Sequence, residues 1–321
     1  MKLVEIPAPD FDLAMTLDSG QVFHWQKTDN GFVGTIGDEP VYAEESGELL
    51  RVSQGRTELI RHYFALDHRL AEICASFPND AIMSAARHFC RGLRIIRQPK
   101  WECLAMFITS SMKQVAHIQQ ISKALRERFG KPRRINLPKD RFAVANKHVV
   151  HTFPSAHRIA ESSEKELWEC MLGYRAKNLL ATARLVSSGE ANLEGWSALS
   201  DVDLRARLCW LPGVGVKVAN CMMLFGYERL RSFPIDVWIE RVLREKYFPR
   251  KKKMTAQGLR EFSETYFGEH GGYAQQYLFH HTRMASRKSA ASRDSSTALR
   301  SARNDNRRDA PMAPTEAGAN D

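Results

Sequence analysis

The sequence Pro-Gly-Val-Gly at residues 212–215 separates two apolar, helix-forming segments, and this break constrains the fold more than any other feature. Proline ends the first helix, and the two glycines, Gly213 and Gly215, allow a tight turn and the close approach of another backbone. The first N–H groups of the second helix, through Val218, have no partner within that helix and point outward at the positive end of its dipole. We therefore predict a helical hairpin whose turn can bind a phosphate, although an ordinary structural hairpin fits the same pattern.

Two functional groups flank this turn. Lys217 stands in the first turn of the second helix, where the helix dipole and the apolar neighbours Val216 and Ala219 favour a neutral amine. A neutral lysine amine is a nucleophile that forms Schiff bases. Asp236 follows Pro234 at the expected N-cap of the next helix, where its carboxylate can stabilise developing positive charge or transfer protons. A phosphate-binding lysine and a simple helix cap are the alternative interpretations.

Charge and cysteine content narrow the class of protein. The formal net charge of +10 favours a polyanionic partner, nucleic acid above all. The six cysteines lack C-x-x-C spacing and lie mostly in apolar segments, so we expect buried thiols rather than disulfides or a metal site. No apolar run approaches about 18 residues, and the N-terminus lacks a signal-peptide core. We expect no membrane contact and a location with the DNA, in the cytoplasm and nucleoid of a bacterium or the nucleus of a eukaryote.

The chain divides into three predicted parts. Residues 1–95 begin with short aromatic and β-branched runs separated by turn residues, which predicts an antiparallel sheet built from hairpins. Residues 96–285 show helical patterns of apolar residues almost throughout. Residues 286–321 contain no aromatic residue and are rich in small and polar residues, which predicts a disordered tail. The predicted fold class is α+β, with an antiparallel sheet domain packed on a mostly helical domain.

Five motifs resemble, in the same order, the 8-oxoguanine DNA glycosylase/AP lyase family of the helix-hairpin-helix base-excision glycosylases. They are SGQVFHW at 19–25, ECLAMFITSS at 102–111, LGYRAKNL at 172–179, LPGVGVKVA with PIDV at 211–237, and YAQQYLF at 273–279. The resemblance implies a sheet domain like the TATA-binding protein beside a helical catalytic domain. It also implies an enzyme that flips an oxidised guanine out of double-stranded DNA, removes it and cleaves the abasic strand.

The resemblance assigns roles to six residues of the catalytic site. Lys217 matches the lysine that attacks C1′, expels the base and forms a Schiff base, and Asp236 matches the catalytic aspartate. Gly20 matches the residue whose carbonyl accepts a hydrogen bond from the N7–H that only the oxidised base carries. Guanine would leave this buried acceptor unpaired, which makes the contact discriminating. The remaining matches are the reader of the Watson–Crick edge and the pair that sandwiches the base: Gln275, Cys221 and Phe279.

Five residues stand at positions where the family contacts the DNA strands, and three of them differ from the family's usual residue. Tyr174 matches an aromatic wedge, and Arg175 matches an arginine that contacts the orphaned cytosine. Met112 and His117 stand where the family has an asparagine and a second arginine. Trp238 replaces a histidine that touches phosphate, so this contact is reduced at most to an indole N–H.

Two other functions remain open from the sequence. A related helix-hairpin-helix glycosylase acting on other damaged bases fits the same hairpin, but the lack of cysteine after Cys221 excludes the iron–sulfur branch. A non-enzymatic DNA-binding protein needs the hairpin but not Lys217 together with Asp236. Borohydride trapping on DNA separates the lyase from the binding protein. We expect a monomer without a metal or other cofactor.

The replacements at Met112 and His117 predict weak selectivity for the base opposite the lesion. A good bidentate contact contributes about 1–3 kcal/mol of discrimination, so losing one or two such contacts should shrink the preference for cytosine about 10- to 100-fold. Single-turnover excision rates opposite C, A, G and T measure this preference. Strong selectivity for cytosine would contradict the prediction and show that Arg175 suffices as the reader.

Overall fold

The computed structural model describes residues 2–111, 113–138, 147–249 and 254–287. Its strands are β1 (Leu3–Pro7), β2 (Gln26–Lys27), β3 (Phe32–Ile36), β4 (Glu39–Ser46), β5 (Leu49–Ser53), β6 (Pro132–Asn136) and β7 (Lys147–His151). The first helices are α1 (Leu13–Asp18), α2 (Thr57–Tyr63), α3 (Leu70–Ala75), α4 (Ala81–Phe89), α5 (Lys100–Ser110), α6 (Val115–Phe129) and α7 (Ala156–Ala160). The later helices are α8 (Glu164–Glu169), α9 (Arg175–Ser187), α10 (Asp201–Trp210), α11 (Val216–Phe225), α12 (Val237–Val242), α13 (Ala256–Tyr266) and α14 (271–287).

The N-terminal part is an antiparallel sheet, as the sequence predicts. The strand order is β1-β5-β4-β3-β2, so the meander from β2 to β5 is completed at one edge by the first strand of the chain. Side chains alternate between the two faces of β4: Val41 and Ala43 enter a core with α2, whereas Tyr42 lies on the opposite face. Both faces of the sheet are therefore covered.

A second sheet, formed by β6 and β7, lies within the region that the sequence pattern predicts to be helical. Ile135 and Val150 of this hairpin are buried against Val33 and Tyr42 on the outer face of the first sheet. The prediction of helices across this part of 96–285 is wrong because these β-branched residues bury their side chains by packing on another sheet, which the local pattern does not reveal.

The helical part has one large core, centred on α5 and α11. Nine consecutive residues of α5, from Glu102 to Ser110, and eight of α11, from Val218 to Phe225, are buried. Leu70 of α3 and Met83 of α4 also belong to this core rather than to the core under the sheet. Phe23 also packs in this core, whereas Ile96 packs in the core under the sheet, so the two cores do not divide at a single position in the sequence.

A buried ion pair joins the sheet to the helices. Arg126 of α6 donates to the carboxylate of Glu102 on α5, to Thr35 Oγ1 at 2.9 Å and to the His151 carbonyl at 3.0 Å. His24 Nδ1 lies 3.4 Å from the same carboxylate, and all three side chains are at least nine-tenths buried. Burial, together with the Arg126 guanidinium, holds the pKa of His24 well below its usual value, so the imidazole is neutral. The network therefore rests on one arginine and one carboxylate.

The C-terminal helix continues to residue 287, two residues beyond the predicted end of the helical domain. The rest of the predicted tail lies outside the described residues, as does Met112. Within the described ranges, no helix has both the length and the apolar character needed to cross a membrane.

Replacing Arg126 by methionine should destabilise the fold strongly, because the buried Glu102 carboxylate would lose its partner. Removing one member of a buried pair costs about 3–5 kcal/mol. Arg128→Met is the matched control, since Arg128 pairs with Glu169 at 2.7 Å on the surface, and it should cost at most about 1 kcal/mol. Urea unfolding of both variants measures the difference. Equal losses would contradict the importance of the buried pair.

Candidate active site and DNA interface

Helices α10 and α11 form a helical hairpin, and the two glycines of its turn have different surroundings. Gly213 has φ +79°, and a Cβ there would lie 2.8 Å from the Cβ of Asn178. Gly215 has φ −92°, and a Cβ there would meet no atom within 4 Å. The fold therefore requires glycine at residue 213 but not at residue 215, where a close approach by an external partner is the remaining physical reason for glycine.

The N-terminus of α11 is open. No side chain caps it, so the amides of its first turn, through Val218, are available to a ligand. The side chain of Val218 itself is buried in the core, so this residue can contribute only its backbone N–H to DNA. Such an arrangement suits a phosphate, because amides and helix dipole act on the same anion.

Lys217 lies in this first turn, on the same face of α11 as two residues farther along the helix. Cys221 and Phe225 follow at intervals of four residues, which places the three on one side of α11. The Lys217 amine lies 5.3 Å from the centroid of the Phe107 ring, which in turn stacks on Phe225 with centroids 5.4 Å apart. The lysine side chain is thus held against an aromatic wall rather than extended into solvent.

Asp236 is the N-cap of α12, as the sequence predicts. Its Oδ1 accepts a hydrogen bond from the Ile239 N–H at 2.9 Å, which holds the carboxylate in place. Burial raises the pKa of Asp236, and the Ile239 N–H and the Lys217 ammonium oppose this shift. No ion pair joins Lys217 to Asp236 among the described residues, so the two groups act on each other across a space.

Cys221 lies between these charges. Burial raises the pKa of its thiol to about 11, while the Lys217 ammonium opposes that shift and the Asp236 carboxylate adds to it. The thiol is therefore protonated near neutral pH and acts as a small apolar wall. Across the described ranges, no group of three or more His, Cys, Asp or Glu side chains could hold a metal ion.

Gly20 occupies a turn that several glutamines hold in place. It has φ +88°, a conformation that suits glycine. The Gln21 side chain donates to the Arg94 carbonyl and accepts from the Ile96 N–H, both at 2.8 Å, and the Gln276 amide donates to the Ser19 carbonyl at 3.0 Å. The sequence reasoning missed these anchors, which join positions far apart in the chain.

Helix α14 brings the predicted base-binding residues to this turn. Gln275 is buried, and its Oε1 has no hydrogen-bond partner, so an acceptor is available there. Phe279 lies four residues later, and its Cε1 would be 3.1 Å from a Cβ on Gly20. Phe23, three residues after Gly20, contacts the edge of Phe107 at a centroid distance of 6.3 Å, which connects this region to the aromatic wall beside Lys217.

The residues predicted to hold the opposite strand differ in exposure. Tyr174 is 57% exposed, so its ring does not pack in the core. Arg175 is buried with its guanidinium 4.3 Å from the Tyr174 ring, and it donates to the carbonyls of Ser111 and Leu172. In this conformation Arg175 ties α9 to the end of α5, directly before Met112, and supports the exposed ring of Tyr174.

The two other DNA-binding candidates lie at the starts of helices. His117 is exposed in the first turn of α6. Trp238 is half-buried in the first turn of α12, two residues after Asp236, and the guanidinium carbon of Arg241 lies 5.5 Å from its ring. Both side chains are therefore accessible, and the Trp238 backbone N–H is one of the groups that lower the pKa of the Asp236 carboxylate.

The sequence reasoning also missed two residues that line the site. Phe107 carries no polar group, and its place beside Lys217 depends on packing between helices. Arg283 could have been found, because it follows Gln275 and Phe279 at the same interval of four residues on one face of α14.

Comparison with known proteins agrees with this fold and site. Residues 3–104 match the model of the 8-oxoguanine DNA glycosylase N-terminal domain, and residues 105–265 match that of the HhH-GPD superfamily of base excision DNA repair proteins. The N-glycosylase/DNA lyase OGG1 of Arabidopsis thaliana is 30% identical over 291 residues, covering 84% of this chain and 77% of the relative. The N-glycosylase/DNA lyase of Saccharomyces cerevisiae is 30% identical over 265 residues, covering 73% and 68% respectively.

A solved relative shares the whole architecture. The 8-oxoguanine glycosylase/lyase of Clostridium acetobutylicum, in complex with double-stranded DNA containing cytosine opposite 8-oxoguanine, superposes with a TM-score of 0.79 at 27% identity. The match covers 89% of this chain and 99% of that chain. Fold and site together define a base-excision DNA glycosylase with associated lyase activity. Within that class, the chain belongs to the 8-oxoguanine DNA glycosylase family.

The two glycines of the hairpin should respond differently to alanine. Gly213→Ala should destabilise the protein by at least about 1 kcal/mol, because φ is positive and the new Cβ would collide with Asn178. Gly215→Ala should unfold like the parent but bind duplex DNA more weakly, since the methyl group would stand where a phosphate approaches. Thermal unfolding and gel-shift titrations measure the two effects. Unchanged DNA affinity for Gly215→Ala would show that the turn does not contact the backbone.

Proposed function

We propose that this enzyme removes 8-oxoguanine from double-stranded DNA and then cleaves the abasic strand, with Lys217 as the nucleophile. The observation that carries the proposal is the placement of the Lys217 amine and the Asp236 carboxylate around one space beside the open turn of the hairpin. A structural hairpin needs neither group, and a phosphate-binding hairpin needs no carboxylate facing its lysine.

The chemistry follows from these two side chains. Once deprotonated, the Lys217 amine attacks C1′ of the lesion nucleotide, and the bond from C1′ to the base breaks as the base leaves with the electron pair and takes up a proton. Asp236 stabilises the positive charge that develops at the sugar as this bond lengthens. In the resulting adduct the C1′–O4′ bond breaks, O4′ takes up a proton and the opened sugar is held to Lys217 as a Schiff base. Loss of a C2′ proton then breaks the C3′–O bond and expels the 3′-phosphate.

The base pocket is proposed to form between the Gly20 turn and α14. The Gly20 carbonyl accepts the N7–H of the oxidised base, and the unpartnered Gln275 side chain pairs with its Watson–Crick edge. Cys221 and Phe279 cover the two faces of the flipped base. The protonated Cys221 thiol and the Phe279 ring offer mainly apolar contact, which suits stacking.

The proposed DNA contacts surround this pocket. Amides of the hairpin turn hold a phosphate. Tyr174 fills the place of the extruded base, with the Arg175 guanidinium packed against its ring. Met112, His117 and Trp238 are proposed to contact the strands near the lesion. We further propose that the enzyme acts as a monomer in the compartment that contains the chromosomal DNA.

Replacing Lys217 by glutamine tests the assigned nucleophile. The variant keeps a polar side chain of similar length but has no amine, so it should bind 8-oxoguanine duplex while releasing no free base above background. Gel-shift affinity and single-turnover base release measure the two properties. Lys177→Gln, at an exposed position on α9, serves as the control and should release base at nearly the parent rate. Base release by Lys217→Gln would overturn the assignment.

Asp236→Asn separates capping from catalysis, because asparagine caps helices as well as aspartate but carries no charge. We expect parent-like stability and a loss of about 100- to 1,000-fold in single-turnover excision. Burial raises the pKa of Asp236, so the parent rate should fall with decreasing pH at a higher pH than for an exposed aspartate, as the carboxylate is protonated. That acid limb should disappear in Asp236→Asn. An unchanged acid limb would assign it to another group.

A further inference from the structure

Arg283 presents an unexpected charge at the proposed base pocket. Arg283 is only 7% exposed, and it lies on the same face of α14 as Gln275 and Phe279. Its guanidinium carbon lies 5.5 Å from the Phe279 ring centroid, and its Nη1 would lie only 3.0 Å from a Cβ on Gly20. Among the described residues no carboxylate pairs with this guanidinium, and burying an unpaired charge is costly, which points to a purpose beyond packing.

The donors of Arg283 are only partly satisfied. Nη2 donates to the Asp18 carbonyl and lies 3.2 Å from His280 Nδ1, which holds the guanidinium beside the turn. Burial lowers the pKa of His280 to about 4, so this ring is neutral and its Nδ1 can accept. Nε is buried without a hydrogen-bond partner, and Nη1 has none among the described residues. Nη1, with its two N–H groups, is therefore the part of the guanidinium that remains for a ligand.

The charge on this group persists at neutral pH. Burial lowers the pKa of Arg283 to about 10, which still leaves the guanidinium protonated. This charged donor lies 3.0 Å from where a Cβ on Gly20 would stand, on the residue whose carbonyl is the proposed acceptor for N7–H.

That pairing matches one edge of an oxidised purine. In 8-oxoguanine the N7–H donor is adjacent to the C8 carbonyl acceptor, whereas guanine has an acceptor at N7 and a hydrogen on C8. An acceptor beside a donor complements the oxidised edge at both atoms. Guanine provides no oxygen for the donor and repels the carbonyl at N7.

We propose that Arg283 is a specificity-determining residue whose Nη1 donates a hydrogen bond to the C8 oxygen of the flipped base. The inference rests on the proposed function and deepens it, because it adds a direct contact to the atom introduced by oxidation. Arg283 takes no part in bond breaking. It acts with the Gly20 carbonyl so that the N7–H and the C8 oxygen are both paired.

The test compares two lesions in otherwise identical duplexes. One contains 8-oxoguanine, and the other contains its 8-thioxo analogue, which keeps the N7–H but carries sulfur, a weaker acceptor, at C8. Single-turnover excision by the parent should favour the oxo lesion about 10- to 100-fold, as expected for one charged hydrogen bond. Arg283→Met should excise the oxo lesion more slowly and show little preference between the two. The larger size of sulfur cancels in this comparison, because it affects both proteins.

Two further variants make the comparison decisive. Arg287→Met alters an exposed arginine one turn farther along α14 and should keep the parent preference. Arg283→Lys keeps a charged donor and should keep part of it, which also provides a readout if the methionine variant does not fold. Equal losses on both lesions would overturn the inference and leave Arg283 a structural residue. A parent protein that excises neither lesion would instead refute the proposed function.

Discussion

The left-handed backbone at Gly213 determines where α11 begins, and the geometry of the site depends on that point. Its positive φ lets the chain reverse directly after α10, against the side chain of Asn178. Lys217 and Cys221 are thereby placed at defined heights on one face of α11, with Phe107 opposite. A shift of one residue in the start of α11 would rotate the amine by about 100° and remove it from the site.

The same elements serve folding and chemistry at three places. The N-cap that starts α12 also immobilises the Asp236 carboxylate, and the uncapped start of α11 leaves amides free for a phosphate. Gly20 has no side chain that could fix its turn, and neighbouring glutamine side chains hold its backbone at φ +88° instead. Rigid positioning of this kind reduces the reorganisation needed when charge develops at the sugar.

Local sequence patterns predicted those parts of the site that depend on neighbouring residues. The hairpin, the position of Lys217 in the first turn of α11 and the cap at Asp236 follow from a proline, two glycines and helix-capping preferences within about 30 residues of sequence. The surroundings of Gly20 did not follow, because Gln21 bonds to Arg94, and Gln276 to Ser19, across 73 and 257 residues. The β6–β7 hairpin was not predicted for the same reason, since its burial against Tyr42 is a tertiary contact. The four-residue spacing of Gln275, Phe279 and Arg283 is visible in the sequence, but only the structure places Arg283 beside Gly20.

Trapping the covalent intermediate identifies the amine that attacks C1′. Parent protein incubated with 8-oxoguanine duplex and borohydride, then digested and analysed by mass spectrometry, reports which amine joined C1′. If Lys217 is the nucleophile, one adduct should form, on the peptide that contains Lys217, with the lesion duplex and not with the matched guanine duplex. An adduct on another lysine or on the N-terminal amine, or excision with no adduct at all, would contradict it.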